Sequence, residues 1–132
     1  MSTHCGIAIK TEKGYETIYC HHDGYPKYMF KMLTENYNSE ELAKKLVGAG
    51  DASFIAEKFE TDLPHSFNNP QDDTCCFYHR DRGDDWDQVK PYVYETKQEI
   101  RSAFYYAYVF DKGRWAMIST SGDEIEYGEI FK

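Results

Sequence analysis

Hydrophobic and polar positions alternate from the start of the chain. Between Thr3 and Thr11, Cys5, Ile7 and Ile9 fall on one face and His4, Gly6, Ala8 and Lys10 on the other, the two-residue period of a strand. Glu12-Lys13-Gly14 carries turn chemistry, and Tyr15 to His22 reads as the return strand of a hairpin. A turn at Lys13-Gly14 sets Cys5 opposite His22 and His4 opposite Asp23; a loop one residue longer sets His4 opposite His22 and Cys5 opposite His21. Asp23-Gly24-Tyr25-Pro26 then breaks the strand, and Pro26 suits the first turn of a helix. Met29, Phe30, Leu33 and Tyr37 recur at helical spacing over 27–37. Asn38 or Ser39 caps a second helix, with Glu40 and Glu41 in its first turn, Leu42, Leu46 and Val47 on one side, and Gly48 and Gly50 at its end.

Residues 51–59 read as a short helical or irregular piece, and 60–73 as a loop without period. The next strand spans 74–79, followed by a charged loop over 80–90. Thr96 caps a short helix over 97–102. A second hairpin joins 104–110 to 114–120 across Asp111-Lys112-Gly113, and a short last segment covers 124–131. No repeat or linker divides the chain. The expected fold is α+β: a single domain over 1–132, with a mostly antiparallel sheet of about five strands and two or three helices on one face.

Composition narrows this picture. Of the 132 residues only 41% are apolar, but aromatic residues make up 17%, and each buries enough area to build a core. The net charge of −8 argues against direct binding of nucleic acid and permits contact with a basic protein surface. Cys5, Cys20, Cys75 and Cys76 form no C-x-x-C pair, and no signal peptide is evident, so reduced thiols and a cytosolic setting are expected. The apolar runs are too short for a membrane helix. Exposed aromatics and an uncovered sheet edge allow a homo-oligomer.

Candidate chemistry gathers at three places. The first is Cys20-His21-His22-Asp23-Gly24-Tyr25-Pro26, at a strand end where only one of His21 and His22 can face a given site. The second is His79-Arg80-Asp81-Arg82-Gly83, where two guanidiniums can clamp an anion or pair with neighbouring aspartates. The third is His65 in the long loop. His4, His21 or His22, His65 and His79 lack a metal-ligand spacing such as H-E-x-x-H, so neither metal nor cofactor is assigned. Cys5 or Cys20 beside a histidine is a conceivable nucleophile, although such cysteines more often pack in cores. The run Phe104-Tyr105-Tyr106-Ala107-Tyr108-Val109-Phe110 reads as a covered central strand, with a base-stacking platform as the alternative.

Met1-Ser2-Thr3-His4, Tyr19-Cys20-His21-His22-Asp23-Gly24-Tyr25-Pro26, His65-Ser66-Phe67 and Tyr78-His79-Arg80-Asp81-Arg82-Gly83, with the late aromatic strands ending at Trp115, together resemble a family of small proteins carried by tailed phages and prophages. That family usually has Trp in place of His22 and often Arg in place of His4. The resemblance implies an accessory, counter-defence role and no established reaction.

The leading expectation is a protein that sequesters a small anionic, nucleotide-like ligand without turnover, using His21, Asp23, Tyr25, His65, His79, Arg80 and Arg82. Removing Arg80 and Arg82 together is then expected to abolish binding in a folded protein. One alternative is an acidic inhibitor of a host defence protein acting through Asp72, Asp73, Asp84, Asp85 and Asp87. The other is a small phosphoester hydrolase with His21 or His79 as acid or base.

Overall fold

A computed structural model describes residues 3–131. Met1 and Ser2, which open the motifs carrying the resemblance, and Lys132 lie outside the described residues. Eight strands, β1 (Cys5–Thr11), β2 (Gly14–Cys20), β3 (Ala52–Phe54), β4 (Cys76–Phe77), β5 (Tyr92–Tyr94), β6 (Ala107–Asp111), β7 (Arg114–Ile118) and β8 (Glu124–Glu126), form one sheet. Its order is β4-β3-β2-β1-β6-β7-β8, and β5 also pairs with β2. The helices are α1 (Pro26–Asn36), α2 (Glu40–Gly48), α3 (Tyr78–Arg82), α4 (Trp86–Val89), α5 (Lys97–Ala103) and α6 (Tyr127–Ile130). The α+β class holds, and the sheet is antiparallel except at β1–β6 and β2–β3.

β1 lies between β2 and β6, so Cys5 to Ile9 are buried on both faces. On one face Cys5, Ile7, Ile9 and Ile18 meet Met29, Phe30 and Leu33 of α1, Ala43, Leu46 and Val47 of α2, and the partly buried Tyr127 of α6. The helices are not confined to one face as expected: on the other face Ala8, Ala107, Val109, Ala116 and Ile118 meet Ile100 of α5. Large aromatics in the core have their polar ends satisfied: Trp115 Nε1 donates to Tyr37 O at 2.9 Å, and the Tyr108 hydroxyl to Gly24 O at 2.7 Å. Ser39 is the cap of α2, accepting from Leu42 N at 3.1 Å, and Leu42 itself faces outward. Thr96 and Glu99 form a reciprocal capping box on α5.

The first hairpin has a register that neither expected pairing described. Cys5 stands opposite Cys20, and the two-residue turn is Glu12-Lys13. Gly14 becomes the first residue of β2 at φ 129°, where a Cβ would come within 2.7 Å of Tyr94 O on the neighbouring β5. His21 and His22 therefore lie beyond the last pair of β2, and the face alternation of a regular strand no longer constrains them. The additional strands, β3, β5 and β8, and the shortened β4 have two or three residues each, too few to show a period in the sequence. β6 starts at Ala107; just before it Tyr106 O accepts from Gly6 N at 3.0 Å and the Phe104 ring lies on Gly6. Within the expected charged loop, 78–82 and 86–89 form α3 and α4.

Candidate functional site

The structure gives both prominent motifs local structural duties. In the first, Asp23 adopts a left-handed φ of 57°, and buried Gly24 lies so close to β1 that a Cβ would come within 2.6 Å of Cys5 Cβ. Gly24 N donates to Thr3 O at 2.8 Å, and Pro26 begins α1. Asp23 and Tyr25 project outward from this turn as exposed side chains. His21 turns the other way, toward Tyr19 and His4. The Tyr19 hydroxyl lies 2.5 Å from His21 Nδ1 and 3.0 Å from His4 Nδ1, and His4 Nδ1 is also 2.9 Å from His21 O. Partial desolvation and the neighbouring imidazoles of His22 and His4 lower the His21 pKa, favouring its neutral form.

In the second motif, the arginines expected to clamp a ligand are bound to the protein itself. Arg80 forms a two-point pair with Asp81 (3.0 and 2.9 Å), donates to Phe59 O at 2.6 Å and Cys75 O at 2.9 Å, and stacks on the Phe59 and Phe77 rings. Asp81 also accepts from Phe77 N at 2.8 Å, and its side chain is 5% exposed. Arg82 pairs with Asp84 through two contacts of 2.7 Å and lies over Phe67 and Tyr78. Asp85 caps α4, so part of the acidic cluster serves the fold as well.

His65 belongs to the same fastening. Its Nδ1 accepts from Gln71 N at 2.9 Å, which leaves the proton on Nε2, 3.0 Å from Cys75 O and 3.6 Å from Asp81. His65, Cys76 and Asp81 place donor atoms within 4.8 Å of one another, but those of His65 and Asp81 are already committed, and burial pushes the Cys76 thiol up to about 11. This cluster differs from the histidine set considered from the sequence. Cys5 is fully buried with its pKa raised by desolvation, and Cys20 is fully buried beside it, so neither is placed as an accessible nucleophile. His79 meets Asp84 O and the edge of Trp86, and with Arg80 it lines a cavity of about 490 Å³ beside Gly48 and Ala49. His21, Asp23 and Tyr25 are not among that cavity's lining residues.

A different surface carries the open chemistry. Tyr19 and Phe104, ring centroids 6.4 Å apart, stand between two cavities on the α5 face of the sheet. One, of about 450 Å³, is lined by Thr3, His4, Tyr19, Ala103, Phe104, Tyr105 and Tyr106. Tyr105 is 73% exposed. Arg101 stacks over its ring at 4.9 Å and reaches Phe104 O at 3.4 Å. Of the four arginines, Arg101 is the one with no carboxylate partner among the described residues.

The other cavity, of about 320 Å³, includes Asp51, Tyr19, Asp87, Lys90, Tyr92, Tyr94 and Phe104. Asp51 fills a break in the sheet edge. β5 covers β2 as far as Thr17 and β3 joins it at Cys20; between them Asp51 Oδ1 accepts from Tyr19 N at 2.8 Å, replacing a strand carbonyl. Gly50, at φ 85°, makes the approach possible, since a Cβ would come within 2.7 Å of Val89 O. Burial pushes the Asp51 pKa up to about 6, with the Tyr19 hydrogen bond opposing the rise.

A carboxylate whose folded pKa is raised costs stability while charged. The cost is full above about pH 6, shrinks as pH falls through that value, and is gone below the ordinary 3.8. Asp51→Asn preserves the acceptor for Tyr19 N. After allowance for partial solvent exposure, it is expected to stabilise the fold by about 1 kcal/mol at pH 8, with the gain vanishing near pH 4. Urea unfolding of both proteins at the two pH values checks this.

Arg101 and Asp51 were not singled out by the sequence. Arg101 lies inside an ordinary capped helix, and the sheet break that gives Asp51 its role is formed by residues far apart in the chain. No protein-family model, curated protein or solved structure matches this chain.

Proposed function

We propose that the chain is a small-molecule-binding protein that holds an anionic, nucleotide-like ligand in the cavity beside Phe104, without converting it. Phe104, Tyr105 and Tyr106 supply faces for a planar base, and His4 contributes a polar edge. Arg101 receives the phosphate. The carrying observation is its unpaired guanidinium, stacked on a lining residue of an aromatic cavity, while Arg80 and Arg82 are neutralised by Asp81 and Asp84. In the phage setting that the resemblance implies, sequestering such a ligand would blunt a host defence signal.

Arg101→Ala removes a half-buried side chain that makes no ion pair among the described residues, so the fold should be nearly unaffected. Loss of one charge-assisted contact is expected to weaken binding about ten-fold or more. Calorimetry with mono-, di- and cyclic nucleotides, with chromatography of the recovered ligand, checks both points. Unchanged affinity in the variant, or a chemically altered ligand after incubation, would overturn the reading.

A further inference from the structure

We propose that the cavity on the Asp51 side of the Tyr19–Phe104 wall is a second ligand site, and that it takes the ammonium group of a small free primary amine. Asp51 lines this cavity with one oxygen held by Tyr19 N and with Oδ2 accepting no hydrogen bond among the described residues. Lys90 is the only Lys or Arg among the lining residues, and its ammonium lies 3.5 Å from Asp87 rather than on Asp51. The surrounding surface is aromatic: Tyr92 and Tyr94 have ring centroids 4.7 Å apart, and Tyr19 and Phe104 also line it. Ring faces attract cations, and a partly desolvated carboxylate gains most from a counter-ion that can also donate to its free oxygen. A primary ammonium meets both demands. The alkyl chain would lie against the rings, and the cavity of about 320 Å³ has room for it.

The energetics point the same way. The fold retains a carboxylate that burial disfavours, at a position where asparagine could make the same bond to Tyr19 N. Stability given up at one position is a common mark of a binding residue. This site shares only the Tyr19–Phe104 wall with the nucleotide-like site, and Asp51 and Arg101 belong to different sides of it, so either can fail without the other.

The test is a titration of the full chain at pH 8 with n-butylammonium, followed by backbone amide shifts, with 1-butanol as the neutral isostere. Saturable shifts at Tyr19, Asp51, Tyr94 and Phe104 are expected with the amine and absent with the alcohol. Asp51→Asn should weaken amine binding at least ten-fold while remaining folded. Equal binding of amine and alcohol, equal affinity in the variant, or no saturable shift would overturn the proposal. A short lysine-containing peptide that bound more tightly than n-butylammonium would place the ammonium on a protein side chain, and would overturn the assignment to a free amine.

Discussion

Arg80→Ala is expected to destabilise the fold by about 3 kcal/mol, because it leaves the buried Asp81 carboxylate without its cation. The same guanidinium ties Phe59 O and Cys75 O together and covers the Phe59 and Phe77 rings. The residues flanking the long loop over 60–73 therefore lose one of their ties to α3, while Phe67 N still donates to Asp81 O. A urea midpoint measured by far-ultraviolet dichroism reads this directly. If the variant kept the parental midpoint and instead lost ligand, Arg80 would be a ligand residue and the assignment to Arg101 would fall. Arg82→Ala, whose pair with Asp84 is more exposed, should cost much less.

The second large effect is expected at Gly6. An added Cβ would lie 2.5 Å from the Phe104 ring, and the ring cannot yield without leaving the wall shared by the two cavities. Gly6→Ala should cost about 2 kcal/mol through overpacking and weaken nucleotide-like ligand binding at least ten-fold. The double variant Gly6→Ala with Phe104→Ala separates the causes. Relief of the clash should make its destabilisation smaller than the sum of the single changes, while binding stays lost. Additive stabilities would show that Phe104 does not press on Gly6.

The parts of the fold legible in the sequence were those with a long period or a specific cap. The spacing of Met29, Phe30, Leu33 and Tyr37 located α1, Thr96 located α5, and Lys112-Gly113 marked the second hairpin turn, where both residues take positive φ. The first register was not legible, because the conflict between a side chain at Gly14 and Tyr94 O arises only once β5 has docked. The short strands β3, β4 and β5 are made by their partners rather than by their own pattern.

The candidate site was less legible for a physical reason. His21 to Pro26 and Arg80 to Gly83 stand out because they combine charge, glycine and proline. That combination is also what a left-handed turn, a close backbone approach and a buried ion pair demand. Asp23 serves a turn, Gly24 a close approach, and Arg80 a buried carboxylate. Charges free to meet a ligand are those the fold leaves unpaired, and pairing is tertiary information. Arg101 carries no local sign of it. The aromatic run divides in the same way: Tyr108 and Phe110 are core, whereas Phe104, Tyr105 and Tyr106 line a cavity.

The most direct test of the central claim is native mass spectrometry of the chain and its Arg101→Ala variant after incubation with nucleotide-rich extract from defence-activated bacteria. The account predicts a small-molecule adduct on the parent, released intact on denaturation and absent from the folded variant. A parent that stays free of adduct, or an adduct retained equally by Arg101→Ala, would contradict it.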